Sequence, residues 1–463
     1  MINIRYLTLV PLIALLLLPA FAVPFHKPIY LSFFCTIGFF LFFLFFKQQY
    51  LLKRVNLLIR KTPFKYFSFF AIWFIIDGLF LVCLGKYNIF NYIYYMLTLL
   101  ILTFTCTYLL PSIIFPKYFS KQFFIKFLFM TYFILCIAGI IQYLSVIFDI
   151  TFINNIVKFL TNIRFLLNDS HQLSDTRLSG LFEEPGYFGA FLFLNFPIIY
   201  NFCLSKYKIF DNNYLNIIIK KSLILLFWVS LILTKSPIWL IFCLILTSIY
   251  FLKTIVKFIL KHKVKFVIAM VLIGVFTFMF FTHLNVSETY LNRIYLTVKV
   301  LGNWDLFVII EPSLATRILS YFYTFKVFLS NFLLGVGLGN TKYYTINQIF
   351  NTPIPITLEL QKYITNTIFS GSNRLGLNGA FFFDVLADSG IIGFIVFYYF
   401  LFKSYIWNNK IKMKYTGINY LLLDGLSKSV LAFILISFYD VNYMTLFVWF
   451  LLGLGLIFYP ICE

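Results

Sequence analysis

Two arginines stand at helix starts of this sequence, where a guanidinium could hold a phosphate through two parallel hydrogen bonds at a surface. Arg177 leads the stretch Arg177-Leu178-Ser179-Gly180-Leu181-Phe182-Glu183-Glu184-Pro185-Gly186. Arg317 ends Glu311-Pro312-Ser313-Leu314-Ala315-Thr316-Arg317, the start of a helix predicted to continue to about Asn331. A glycine-rich turn follows it, Leu334-Gly335-Val336-Gly337-Leu338-Gly339-Asn340. Backbone N–H groups in such a turn can cradle phosphate. The strand, helix and downstream acid of a dinucleotide fingerprint are missing, as is the Lys-Ser/Thr of a P-loop, so NAD and ATP are not its ligands. A third stretch runs from Asn378 through Asp384, Asp388 and Gly390 to Gly393, and its two acids share one helical face at i, i+4. Each stretch also makes sense as a plain helix start, with acids at the positive end of the dipole, proline in the first turn and glycines easing the way in. That reading leaves Arg177, some seven residues upstream, without an explanation.

The elements that position these residues are hydrophobic segments, at roughly 5–23, 29–46, 67–84, 89–110, 123–148, 185–204, 219–234, 236–252, 265–282, 380–402, 418–437 and 443–461. Their lengths are near the ~20 residues a bilayer demands. The expected fold is therefore an all-α polytopic integral membrane protein of about twelve transmembrane helices. Lys and Arg alternate across the connections. Lys47 to Lys65 holds six, Pro111 to Lys126 three, Lys206 to Lys221 four, Lys253 to Lys265 five and Lys403 to Lys414 four, whereas the other short connections hold at most one each. The basic sides face the cytoplasm, and the parity puts both termini inside. The start of the chain, with Arg5, an apolar run and Ala20-Phe21-Ala22, imitates a cleavable signal peptide. An uncleaved first helix gives the same orientation downstream.

With 62% hydrophobic and 11% charged residues and a mean hydropathy of +0.92, the chain has too little polar surface to fold in water. Its net charge of +21 is not the mark of a nucleic-acid partner, because most of the 37 basic residues sit at cytoplasmic ends, beside anionic lipid headgroups. The seven cysteines lie in or at the ends of apolar segments and read as small core hydrophobes. Two outward connections are long, 149–184 and 283–379. The predicted organisation is thus helices one to five over 1–148, an outward loop over 149–184, helices six to nine over 185–282, a large outward loop over 283–379 and helices ten to twelve over 380–463. The two loops hold nine of the sixteen acidic residues, Asp149, Asp169, Asp175, Glu183, Glu184, Glu288, Asp305, Glu311 and Glu359. Long loops in a compact protein are usually functional or disordered. Apolar periodicity, Trp304 and the pair Tyr343 and Tyr344 favour ordered ones here. Ordered loops above a lipid-embedded bundle suit chemistry on an amphiphile whose tail stays in the membrane.

Taken together, the three stretches resemble the O-antigen polymerase and O-antigen ligase superfamily. Its pattern is matched by Arg177, Gly180, Glu184 and Pro185, by Leu233-Thr234-Lys235-Ser236, by Arg317 with Gly335, Gly337, Gly339 and Asn340, and by Asn378 with Asp388, Gly390 and Gly393. The likeness covers roughly residues 170–400. Ligases carry a histidine just before the last Asn, where this sequence has Leu377, which points to the polymerase (Wzy-type) branch.

That resemblance implies a metal-independent glycosyltransferase of the bacterial inner membrane without cofactors. Its substrates would be undecaprenyl-diphosphate-linked polysaccharide and oligosaccharide repeat, and a chain-length regulator would be a natural partner. Arg177 and Arg317 would be catalytic, meeting the donor diphosphate. Gly337, Gly339, Asn340, Asn378, Glu183 and Asp388 would contribute to substrate binding. The implied base for the acceptor hydroxyl is Glu184, with Glu183, Asp388 and Asp384 as alternatives. Two other readings remain open, a ligase moving polymer to lipid A-core and a flippase for the lipid-linked repeat. His26, His171, His262 and His283 are scattered without metal-ligand spacing. Trp304, Tyr343, Tyr344 and Tyr363 could stack on sugars or simply reflect the 22% aromatic content. Asp77, Asp424 and Lys428 lie within spans, where charge must be paired or hydrated. Asp424 and Lys428, at i, i+4, can pair along one helix; a polar patch beneath a sugar cavity is the other reading.

Overall fold

The structure is a computed structural model. It describes residues 62–86, 89–109, 121–148, 178, 185–209, 212–234, 239–248, 303–310, 312–350, 380–438 and 449–455, with a few isolated positions besides. Apart from a two-residue antiparallel ladder, β1 (Ala22–Val23) with β2 (Ile29–Tyr30), the described elements are helical. In chain order they are α1 (Phe64–Cys83), α2 (Ile89–Phe104, continued by a π-helical turn, Thr105–Leu109), α3 (Lys121–Ile147), α4 (Pro185–Leu204), α5 (Asn213–Leu233) and α6 (Trp239–Ser248). Then come α7 (Trp304–Ile310), α8 (Pro312–Ser330), α9 (Thr341–Phe350), α10 (Phe381–Lys412), α11 (Gly417–Ile436) and α12, helical over 449–455.

Five of these, α1, α3, α5, α10 and α11, are long and apolar enough to cross a bilayer, so the protein is membrane-embedded. A helix satisfies its backbone groups within itself, as a lipid solvent requires. Predicted spans that fall on described residues reappear closely: 185–204 coincides with α4, and 418–437 is shifted by one residue from α11. The spans 5–23, 29–46 and 265–282 lie wholly or mostly outside the described residues, as does most of 443–461. Two of the described helices differ from expectation. α5 begins at Asn213 rather than 219, because Asn212 caps it through its side-chain oxygen, which accepts from the N–H groups of Tyr214 (2.9 Å) and Leu215 (3.3 Å). α10 runs ten residues beyond 402 to Lys412. Loss of hydropathy ends a span without ending a helix, and lysines in a last turn suit the negative end of the dipole.

The chain forms two compact units, Met1–Phe242 with Ile391–Glu463, and Cys243–Gly390. In the first, α4 is apolar on all sides and correspondingly buried, with Phe188, Phe191, Leu192, Phe193, Ile198 and Phe202 fully enclosed. It meets α11 at very short range, since a Cβ on Gly425 would lie 2.7 Å from Ile198 Cα. One turn on, Ser429 Oγ donates to Leu194 O at 2.9 Å, close to Pro197, which has no N–H to give to the hydrogen-bond ladder of α4. Small residues spaced by four bring helix backbones together where lipid offers no hydrophobic drive. Tyr132 of α3 completes this core, donating its hydroxyl to Leu192 O at 3.0 Å. Cys106, Cys136 and Cys243 are buried, as small core hydrophobes would be, while Cys83 is exposed.

The second unit is built on α8. Leu319 and Tyr323 of α8 pack with Ile346 and Ile349 of α9, and Trp304 of α7 closes over them. Trp304 also rests on Phe307, Val308 and Ala315. Its ring thus has partners inside the fold.

Candidate functional site

The glycine-rich turn that follows α8 docks onto a break in α10. At Gly390 the backbone leaves helical geometry (φ 62°, ψ −174°). A break removes the donors that carbonyls of the preceding turn would otherwise meet. The turn supplies replacements: Val336 N–H donates to Ala387 O and Gly337 N–H to Asp388 O, both at 2.9 Å. Glycine is required on both sides. Gly335 has φ 83°, and a Cβ there would lie about 2.5 Å from the Asp388 carbonyl oxygen and the Gly390 nitrogen; a Cβ on Gly390 would strike the Leu333 carbonyl. Gly337 (φ 89°) and Gly339 (φ 70°) also have left-handed backbone, so the alternation of glycines records a chain that must turn at every second residue.

Asp388 locks this arrangement. Its carboxylate, 2% exposed, accepts from Gly339 N–H (3.0 Å) through one oxygen and from Thr341 N–H (3.2 Å) and Thr341 Oγ–H (2.5 Å) through the other. Thr341 is the first residue of α9, so a carboxylate from α10 caps the positive end of α9. The side chain of Asn340, also buried, donates to Val336 O at 2.9 Å, and its N–H to Gly337 O at 3.0 Å. The sequence expectation is that this turn cradles a phosphate. In the fold the N–H groups of Gly335, Val336, Gly337 and Asn340 donate to backbone carbonyls, and that of Gly339 donates to the Asp388 carboxylate.

Arg317 is half-buried in the first half of α8, one turn before Tyr321 and on the same face. Tyr321 stacks on Phe383 of α10 at 5.7 Å, and Asp384 is the next residue, in the first turn of that helix. The structure therefore gathers Arg317's helix, the glycine turn, Asn340 and Asp388 into one unit. Tyr343 is nearby in sequence on α9, and burial pushes its phenol above the usual range. Thr341 was not singled out from the sequence; only its partner across 47 residues reveals it. Gly390, inside a predicted span, carried a readable signal, since an isolated glycine there often marks a bend.

Arg177, Glu183, Glu184 and Asn378 lie outside the described residues, as does Tyr363. The residue after Arg177 is described: Leu178 is fully buried, and its N–H donates to Leu233 O at 3.0 Å. Its side chain fills the space that Gly139 of α3 leaves open. The arginine-bearing stretch is thus tied to the C-terminal end of α5, where Leu233 and Thr234 begin the second matched stretch.

The pair expected within α11 is present and is part of something larger. Asp424 accepts from Lys428 at 2.7 Å, from Lys412 of α10 at 2.7 Å and from Asn201 of α4 at 2.8 Å. Three helices, α4, α10 and α11, are tied together by it. The helical-turn pair is thus extended by one partner from each of two other helices. Comparisons with protein-family models, curated proteins and solved structures return no match.

Proposed function

We propose that this protein is an O-antigen polymerase, a glycosyltransferase acting on undecaprenyl-diphosphate-linked saccharides at the periplasmic face of the bacterial inner membrane. The observation that supports the reading is the interlock of two of the matched stretches. The arginine helix α8 leads directly into the Gly335–Asn340 turn, and that turn is fastened to Asp388 and Gly390 of a membrane-embedded helix. A reaction on a lipid-anchored donor needs a cation held rigidly beside the bilayer, and this is a rigid mount for one.

In the proposed reaction the acceptor sugar hydroxyl attacks the anomeric carbon of the donor chain. The bond to undecaprenyl diphosphate breaks, and the hydroxyl proton passes to a carboxylate, for which Glu184 is the first candidate. Negative charge grows on the leaving diphosphate. Fixed guanidinium groups at Arg177 and Arg317 are then worth more in the transition state than in the ground state. Asp388, Gly337, Gly339 and Asn340 serve the site by shaping its support. A chain-length regulator as partner, twelve spans and cytoplasmic termini complete the proposal.

The test is surface lipopolysaccharide from a strain lacking the gene, run beside its parent. Core carrying a single repeat is the expected result, because translocation and ligation persist. Bare core with polymer left on the lipid carrier would instead make the protein a ligase. Bare core without periplasmic repeats would make it a flippase, and an unchanged ladder would refute the O-antigen assignment.

A further inference from the structure

One face of α8 is apolar and uncovered. Ile318, Phe322, Phe325 and Leu329 follow at i, i+4, i+7 and i+11 and are 40–56% exposed, and Phe332 and Leu333 extend the stripe past the end of the helix. Such exposure matches that of Phe69, Ile72 and Ile76 on α1, a helix apolar enough to span a bilayer. At 19 residues α8 is long enough to cross one too, but it is not among the described helices apolar enough to do so. The reason lies on its packed face, where Thr316, Ser320 and Thr324 are buried and Thr324 meets Thr345 of α9 at 3.4 Å between hydroxyls.

Two further features say what covers the stripe. Tyr321 and Phe325 touch Phe383 in the first turn of α10, at 5.7 and 6.2 Å between ring centroids, so α8 packs on the short segment from which the chain continues directly into an apolar, membrane-length helix. The stripe is also bordered by cations. Lys326 lies along one edge with its ammonium 4.8 Å from the Phe322 ring and 5.5 Å from that of Tyr323, and Arg317 lies beyond the opposite edge. Apolar side chains between flanking long cations are the pattern of a helix lying in a bilayer surface, its charged heads reaching for lipid phosphates.

We propose that α8 is an interfacial helix, its stripe sunk among phospholipid acyl chains and Arg317 and Lys326 at headgroup level. The segment 283–379, expected to be a periplasmic loop, would then be partly a membrane-surface element. The inference rests on exposure and charge, and it is independent of the reaction proposed above.

The test uses the full chain in nanodiscs of phosphatidylethanolamine and phosphatidylglycerol, with the photo-crosslinking residue p-benzoylphenylalanine in place of Leu329 or, separately, Phe322. Both side chains are exposed, so the fold should tolerate the change. Asn347, exposed on α9, is the aqueous control, and Ile76 on α1 the lipid-facing one. After irradiation, intact mass should show a one-phospholipid adduct at Leu329 and Phe322 about tenfold above Asn347 and close to Ile76. Adduct at the level of Asn347 would overturn the proposal. So would a protein–protein crosslink from both sites in place of lipid, since a second copy would then cover the stripe.

Discussion

Replacing Asp388 by alanine would orphan two backbone donors, the N–H groups of Gly339 and Thr341, and leave the Thr341 hydroxyl to find another acceptor. Thr341 is 3% exposed, so its N–H bears the full cost of a buried unmet donor, ~1–3 kcal/mol, whereas Gly339 is nearer the surface and costs less. Adding the lost interaction of the carboxylate charge with the α9 dipole, up to ~1 kcal/mol, the alanine variant should be less stable by roughly 3–4 kcal/mol. Asp388→Asn keeps the oxygen that serves Thr341 and turns an amide NH2 toward Gly339 N–H, so about 1–2 kcal/mol is expected. At roughly 2–4 °C per kcal/mol for a unit of this size, thermal unfolding in nanodiscs should fall by about 6–16 °C for Ala and about 2–8 °C for Asn. Polymer length in cells provides the second axis. If Asp388 positions the turn, Asp388→Asn retains shortened polymer and tracks the stability loss. An Asn variant that unfolds like the parent yet makes no polymer would refute the reasoning and make Asp388 the acceptor base.

Gly390→Ala should cost more than ~3 kcal/mol, because the new Cβ meets the Leu333 carbonyl in a left-handed backbone, whereas Gly417→Ala has a similar φ of 63° but open space and should cost about 1 kcal/mol. Comparing their melting temperatures separates collision from backbone strain. Asp424→Ala leaves Lys412, Lys428 and Asn201 facing one another and should destabilise by about 3–5 kcal/mol. Lys412→Met, removing one of two cations with the other still in place, should cost less than half as much, as read from the same unfolding transition. Arg177→Ala and Arg317→Ala should each slow polymerisation roughly a hundredfold if each guanidinium supplies ~3 kcal/mol to the transition state. Normal polymer length in both, at equal protein level, would count against the diphosphate role.

Much of the helical layout was legible because a bilayer makes structure local. Each span must be apolar over its own length and close its own hydrogen bonds, so hydropathy alone located α4 and α11 to within a residue. The Asp424–Lys428 pair was legible for the same reason, being one helical turn. Lys412 and Asn201, its other partners, come from two other helices, and no spacing rule connects them.

The glycine turn shows where local reading ends. Three glycines at alternate positions announced a chain needing left-handed backbone, and the N–H groups of such a turn invite an anion. What they meet was decided 49 residues away from Gly339, by a helix break whose free carbonyls needed donors and by the Asp388 carboxylate, which takes the Gly339 N–H. The stripe on α8 was equally present in the letters, at helical spacing. It could not be distinguished there, because the packed face of the same helix carries Leu319, Tyr323 and Val327, and only burial against α9 tells one apolar face from the other. What the sequence by itself determined were the properties a residue shares with its own helix: span, charge asymmetry and turn chemistry. The tertiary structure alone decided which buried polar group answers which, since those pairings depend on distances between segments that the chain order does not specify.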